Sequence, residues 1–279
     1  MDDLSEILAR HTVSVGTFHS GPLCGIHEFE GTHRSGHIHL VRKGPVRVLG
    51  AGVDSEAIME PTLILVRSPG SHRLIAGQGA ELVCADVQVG AGSTSPIIDA
   101  LPGAVVVPLS EFSGTQSLLE LVYDEAFSRQ AGRQVALDRL CELLLIRLLR
   151  HCIDNGIARG GALSGLADVR LSKALVEVHR DPSRQWALAT MAKLAGMSRA
   201  RFAVRFREVI GETPASYLVT WRISLAQRLL RRGRAIKHVS AEVGYGSTAA
   251  FTRAFARKSG TSPTAWLREL RESRSEPAS

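Results

Sequence analysis

The sequence predicts an α+β chain of two parts: an N-terminal β-barrel with flanking helices, then an all-α region built from two helix-turn-helix units. Three observations carry this. Short Val, Ile and Leu runs broken by Gly and Pro fill residues 13–110, the hydrophobic period turns helical from about Ser117, and the C-terminal third contains an internal repeat. A chain of 279 residues has room for two ordinary domains, and 44% hydrophobic against 22% charged residues is a globular balance.

The barrel part is expected over residues 1–154. Ile38–Val48, Thr62–Val66 and Leu82–Val89 read as strands, with Gly21-Pro22, Pro69-Gly70 and Pro102-Gly103 as turns. A helical pair is expected at 117–153. Its first helix covers roughly 117–130, Gly132 interrupts, and the second covers about 134–152. There Leu137, Leu140, Leu144 and Leu148 fall at helical spacing, with Cys141 and Ile153 close to the same side. Such a stripe either packs on its own barrel or forms the seam of a homodimer. The glycine-rich stretch 155–165 reads as a linker, 166–272 as the helical region and 273–279 as a frayed tail.

Charge separates the two parts. Residues 166–279 hold 21 Lys/Arg against 9 Asp/Glu, a net of +12, whereas residues 1–165 hold 13 against 18, a net of −5. A polyanionic partner is therefore expected at one end only. The acidic start, Met-Asp-Asp-Leu-Ser-Glu, is unlike a signal peptide, and no apolar run reaches the roughly 18 residues of a membrane span. Cys24, Cys84, Cys141 and Cys152 are scattered without a CxxC pair. These features predict a cytoplasmic protein with no membrane partner.

The repeat is the most informative feature. Phe202, Phe206, Gly211, Pro214 and Tyr217 recur 49 residues later as Phe251, Phe255, Gly260, Pro263 and Trp266. Ahead of each block the pattern predicts a leading helix, a Gly-centred turn and a second helix. In the first unit these are Leu188–Leu194, Ala195-Gly196-Met197 and Arg199 to about Ile210, with Ser198 as N-cap. In the second they are Ile236–Glu242, Val243-Gly244-Tyr245-Gly246 and a helix starting at Ser247 or Thr248 and ending near Ser259. Gly211 and Gly260 are expected as C-terminal caps. Tyr217 to about Arg232 reads as a joining helix with Leu218, Trp221, Leu225 and Leu229 on one stripe.

The i,i+4 phenylalanine pairs must face the core of each unit. Arg199, Ala200, Arg201, Ala203, Val204 and Arg205 are then left for other faces of the first helix, and Thr248, Ala249, Thr252 and Arg253 for the second. Short side chains with one or two arginines suit a major groove, because the backbone can approach and Arg can read guanine.

Residues 166–272 resemble the DNA-binding region of the AraC/XylS family of bacterial regulators. The stretch from Val243 through Gly-Tyr-Gly-Ser-Thr-Ala-Ala-Phe-Thr-Arg-Ala-Phe to Pro263 carries the match, together with Leu194-Ala-Gly-Met-Ser-Arg-Ala-Arg-Phe in the first unit. The resemblance implies double-stranded DNA as partner, with contacts in two adjacent major-groove segments, and RNA polymerase as a second partner. By position it assigns base contacts to Ala200, Ala203, Val204, Thr248, Ala249, Thr252 and Arg253. The first three cannot donate hydrogen bonds from their side chains, so Arg201 or Arg205 is expected to contribute. Ser247, Arg257 and Lys258 complete the expected DNA-binding set, the last two on phosphates.

Gly31-x5-His37-x-His39-x3-Lys43-x6-Gly50 is similar to the first cupin motif, with Lys43 where a metal-binding cupin usually carries Glu; Ser68-Pro69-Gly70-Ser71-His72 resembles part of the second. This implies a cupin-like regulatory domain with a small-molecule effector. His37 and His39 project to one strand face and with His72 suit zinc or iron. They suit equally the lining of a small-molecule pocket, or satisfied barrel positions. Cys24 and Cys84 are placed as in regulators of this type that respond to reactive chlorine, and a buried structural role fits the same residues. The expected function is sequence-specific transcription regulation, with no enzymatic activity and no cofactor. The alternative is a cupin-type metalloenzyme fused to a DNA-targeting domain.

Overall fold

A computed structural model describes residues 4–5, 8, 13–30, 36–67, 71–89, 97–112, 114–158 and 160–275. Gly31, the Ser68-Pro69-Gly70 part of the second motif, the first three residues and 276–279 of the expected tail lie outside the described residues. The chain divides into two compact units. One comprises Val13–Val89 and Ile98–Arg159, and the other contains Gly160–Ser279.

Among the described residues seven antiparallel strands build the first unit: β1 (Val13–Phe29), β2 (Gly36–Lys43), β3 (Val46–Gly50), β4 (Val53–Asp54), β5 (Thr62–Val66), β6 (His72–Val89) and β7 (Ala104–Pro108). Their order is β4-β3-β6-β2-β5-β7, and β1 also pairs with β6. The long β6 organises the sheet. On one edge it pairs with β1 from Phe29↔His72 to Val13↔Val89. On the other it takes β3 against residues 72–76 and β2 against 81–87. Gly77 and Gly79 stand where β6 passes from one partner to the next. A Cβ on Gly77 would lie 2.6 Å from Pro45 Cγ, and Gly79 has φ +78°. Inside the curled sheet Val41, Val48, Ile64, Val66, Leu74, Leu82 and Cys84 form the core.

Two strand-level expectations change. The run Ile38–Val48 splits at Gly44-Pro45 into β2 and β3. Gly21-Pro22, expected as a turn, lies inside β1, where Pro22 pairs with Glu81. Among the described residues β1 pairs with β6 alone, and an edge strand tolerates a proline lacking its N–H.

Two helices, α1 (Gln116–Phe127) and α2 (Arg133–Asp154), complete this unit. Leu137, Cys141, Leu144 and Leu148 are all buried, as are Leu145, Leu149 and Cys152. The Asp138 carboxylate accepts the Thr17 N–H at 2.7 Å, and Gln134 Nε2 donates to the Thr17 carbonyl at 2.7 Å, so α2 is docked on β1. The leucine stripe is therefore used by its own barrel rather than left open as a dimer seam. Val135 and Leu143, on the opposite side, are exposed.

Among the described residues eight helices form the second unit: α3 (Gly161–Ala167), α4 (Leu171–Arg180), α5 (Leu188–Leu194), α6 (Arg199–Ile210), α7 (Pro214–Arg231), α8 (Ile236–Glu242), α9 (Thr248–Ser259) and α10 (Pro263–Ser275). The helix α3 occupies residues read as flexible linker. Gly165 within it is there for contact: a Cβ would meet Leu175 Cδ1 at 2.3 Å and Ile210 Cδ1 at 3.0 Å. The helix α7 starts earlier than expected because Thr213 Oγ1 accepts the Ser216 N–H at 3.3 Å and Pro214 occupies the first turn. It is buried on nearly every side, with Tyr217 and Trp221 toward the first helix-turn-helix and Ile223 to Leu230 toward the second. Among the described residues no helix is long and apolar enough to cross a membrane.

Candidate functional site

Both helix-turn-helix units are built on one local plan. Ser198 Oγ accepts the Arg201 N–H at 3.3 Å to start α6, and Ser247 Oγ accepts the Ala250 N–H at 3.2 Å to start α9. Each helix ends on a left-handed glycine, Gly211 with φ +90° and Gly260 with φ +75°, as only a residue without Cβ adopts cheaply. The aromatic cores repeat as well. Phe206 meets Tyr217 edge-on with centroids 5.6 Å apart, and Phe255 meets Trp266 in the same way at 5.8 Å. Phe202, Phe206, Phe251 and Phe255 are all buried. Inward placement of these rings turns the remaining faces of α6 and α9 outward.

On α6, Arg199, Ala200, Arg201, Val204 and Arg205 are exposed and Ala203 is half-buried. On α9 and its cap, Ser247, Thr248, Ala249, Arg253 and Arg257 are exposed, with Thr252 and Lys258 half-buried. The structure thus gathers the sequence-predicted contact residues onto two outward helix faces. Arg199, Arg201, Arg253, Arg257 and Lys258 make no ion pair among the described residues.

Arg205 is the exception. Its Nε donates to Asp168 Oδ2 at 2.9 Å, its Nη2 stands 2.9 Å from the same oxygen as an ion pair, and Glu208 Oε2 lies 4.0 Å from its Nη1. Asp168 Oδ1 accepts the Arg170 and Leu171 N–H groups, each at 3.0 Å. Burial works to raise the Asp168 pKa, but these N–H donors and the guanidinium outweigh it and hold the carboxyl below its usual range. Sequence reading missed Asp168; an aspartate just before a helix is a visible capping signal, but its pairing with a residue 37 positions away is not.

In the barrel, His37, His39 and His72 do come together, around Phe29. The Phe29 ring stacks on His72 at 5.0 Å and lies 4.9 Å from His39 and 5.5 Å from His37. Their Nε2 atoms are engaged with one another and with an acid: His39 Nε2 is 2.8 Å from His72 Nε2, and His37 Nε2 is 3.2 Å from Asp86 Oδ1. Among the described residues no three His, Cys, Asp or Glu side chains are placed to hold a metal ion. Lys43 is exposed at the end of β2. The Nε2 atoms of His39 and His72 face each other at hydrogen-bond distance. Burial, then the neighbouring His72 and His37, push the His39 pKa well down.

Cys84 is buried and pairs across β6 with His39 on one side and His19 on the other. Burial pushes its thiol up to about 12. Cys24 is exposed in a β1 bulge, between the pairs Leu23↔Ala80 and Gly25↔Ala76. The register sets the two cysteines roughly 15 Å apart along the ladder, beyond the ~7 Å that a direct disulfide spans. A cleft of about 450 Å³ over this face is lined by Phe18, His19, Leu23, Ile26, Phe29 and Cys84, among others.

Residues 2–154, more than half of the chain, match the cupin family model, and residues 191–269 match a helix-turn-helix domain model. Fold and site thus define a helix-turn-helix protein with an N-terminal cupin domain. The chain belongs to the cupin family through that domain. It is similar to an AraC-like transcription regulator of Streptomyces lividans, with 35% identity over 194 residues covering 67% of this chain and 64% of that protein. It therefore spans less than two thirds of that relative's length. It is also similar to the RCS-specific HTH-type transcriptional activator RclR of Escherichia coli K12, with 24% identity over 284 residues covering 98% of this chain and 99% of that one. Among solved structures, the DNA-binding domain of AdpA in complex with a target DNA matches at 31% identity, covering 39% of this chain and 100% of that one, with a TM-score of 0.37.

Proposed function

We propose that the protein regulates transcription by sequence-specific binding to double-stranded DNA through α6 and α9, under the control of a signal received by the barrel. The observation that carries this reading is the repeated unit itself. Two capped helices bury matching phenylalanine pairs and turn small side chains and unpaired arginines outward. A net charge of +12 on residues 166–279 supplies the phosphate attraction. By its rise of ~1.5 Å per residue, α7 is a spacer of roughly 27 Å, suited to neighbouring major grooves about 34 Å apart.

The two units read unequally. Arg253 supplies the long donor of the second helix, with Thr248, Ala249 and Thr252 beside it and Ser247 at its cap. Arg257 and Lys258 meet phosphates. The first helix offers Arg199 and Arg201 around the apolar Ala200, Ala203 and Val204. RNA polymerase is the second partner of this reading, and the protein acts in the cytoplasm. If two copies pair through α2, the outward Val135 and Leu143 mediate it. The barrel catalyses no reaction. It receives a small molecule or an oxidant at the cleft over Cys84 and the exposed Cys24, as the likeness to an RCS-specific activator suggests.

Selection of a duplex from a random pool by the full chain tests the reading. On the selected duplex Arg253→Ala should cost roughly 1–3 kcal/mol and relax preference at one or two positions. Arg257→Ala and Lys258→Ala should weaken selected and scrambled duplexes alike. Phe255→Ser, which breaks the second core, should abolish binding to both. An Arg253→Ala loss equal on both duplexes would overturn the assigned reading face.

A further inference from the structure

We propose that Asp168 withholds Arg205 from DNA, so that the first recognition helix reads through Arg201 and Val204 and adds little indiscriminate phosphate affinity. This rests on the DNA-binding reading above and deepens it for one helix.

Arg205 lies one turn along α6 from Arg201, on the same exposed side, yet the two cations are in opposite states. Arg201 has no acidic partner among the described residues. Arg205 has two, Asp168 at 2.9 Å and Glu208 at 4.0 Å, so a phosphate approaching it meets a net negative cluster. The Asp168 side chain is only 11% exposed, against 49% for Arg205. Its carboxylate cannot swing away with the guanidinium, because its other oxygen is fixed by the N–H groups of Arg170 and Leu171. Three hydrogen bonds and the ion pair thus hold one acid in place, and taking Arg205 from it leaves a mostly buried charge unpaired. A cleft of about 630 Å³ runs beside α6, lined by Asp168, Arg201, Val204, Arg205 and Glu208 among others. Apolar Val204, 58% exposed, and the free Arg201 are the groups there able to meet a base edge.

The device separates affinity from specificity. A free arginine at 205 would bind any phosphate and tighten every sequence equally. A neutralised one leaves the first helix to discriminate by shape and by Arg201.

Full-length protein titrated onto its selected duplex and a scrambled one, at several salt concentrations, tests this. Asp168→Asn is the informative variant, since asparagine keeps the acceptor for the Arg170 and Leu171 N–H groups and removes the charge. It should tighten the scrambled duplex about three- to tenfold and steepen the log K against log salt slope by about 0.9, the share of one phosphate. Arg205→Ala alone should change either affinity by less than about twofold, and the double variant should return to wild-type behaviour. An unchanged scrambled affinity in Asp168→Asn would overturn the proposal. So would a loss in Arg205→Ala confined to the selected duplex, which would make Asp168 a buttress that aims Arg205 at a base. Wild-type protein that binds no duplex would instead overturn the DNA-binding reading itself.

Discussion

The guanidinium carbon of Arg222 stands 5.6 Å from the centre of the Tyr245 ring, joining the joining helix to the turn of the second unit. The same side chain donates from Nε to the Pro182 carbonyl at 2.8 Å and from Nη2 to the Arg184 carbonyl at 2.9 Å. Those carbonyls belong to the loop ahead of α5. One buried arginine therefore braces both recognition units against the helix between them.

Replacing that brace should uncouple the two units without erasing either. Arg222→Met is expected to destabilise the helical unit by about 2–3 kcal/mol, the range for buried charged hydrogen bonds. Binding to a duplex carrying both half-sites should fall more than binding to either half alone. Denaturation followed by the fluorescence of Trp186, Trp221 and Trp266 reports the stability, and titration of whole and half sites reports the coupling. Equal losses on all three duplexes would show that Arg222 supports stability only.

The two turn glycines should differ in what they tolerate. Gly196 (φ +63°) and Gly244 (φ +86°) are both left-handed, but a Cβ on Gly196 meets open space. On Gly244 it would lie 2.6 Å from the Ser183 carbonyl oxygen and 2.7 Å from Ser183 Cα. Gly196→Ala should cost about 1–2 kcal/mol for the backbone alone. Gly244→Ala should cost a further ~1–3 kcal/mol for overpacking. Paired thermal denaturation of the two variants checks the order, and equal costs would remove the close contact from the account.

The histidine cluster makes barrel stability depend on pH. His39 faces Phe29, His72, His37 and Cys84, and burial holds it neutral with its pKa well below the ordinary 6.5; burial also lowers His37, against the pull of Asp86. A histidine depressed in the folded state binds fewer protons there than in the unfolded chain. Its contribution is complete above about 6.5 and is lost as pH falls below that value. Calorimetry should show the barrel transition moving to lower temperature between pH 7 and pH 5. His39→Leu should flatten that dependence, and an unaltered slope would rule His39 out as its source.

Thiol chemistry should separate the cysteines. Cys24, exposed, should react with a thiol reagent at once in the folded chain. Cys84, buried with its thiol pushed up to about 12, and Cys141 and Cys152, pushed to about 11, should react only as the barrel opens. Reporter output under mild oxidant then distinguishes entry from relay. Loss of response in Cys24→Ala with retention in Cys141→Ala places entry at Cys24, whereas full response in Cys24→Ala would remove it from the signal path.

What was legible in the chain follows the range of the forces involved. The helix-turn-helix units could be read residue by residue because capping, glycine turns and i,i+4 phenylalanine pairs act within one or two turns of sequence; Leu188–Leu194, Arg199–Ile210, Ile236–Glu242 and the end of α9 at Ser259 stand where the pattern puts them. The barrel was visible as a class only. The lengths of β1 and β6, and the place of Pro22 within a strand, depend on which edges are paired, and pairing joins residues as far apart as Val13 and Val89. The same limit governed the sites. Sequence alone determined which residue types face out on α6 and α9, since the phenylalanines had to go inward. Only the tertiary structure decided that Arg201 has no acidic partner among the described residues while Arg205 is held by Asp168, and that His39 and His72 bond to each other. A charge or a lone pair is committed by its nearest neighbour in space, and in both cases that neighbour lies more than thirty residues away along the chain.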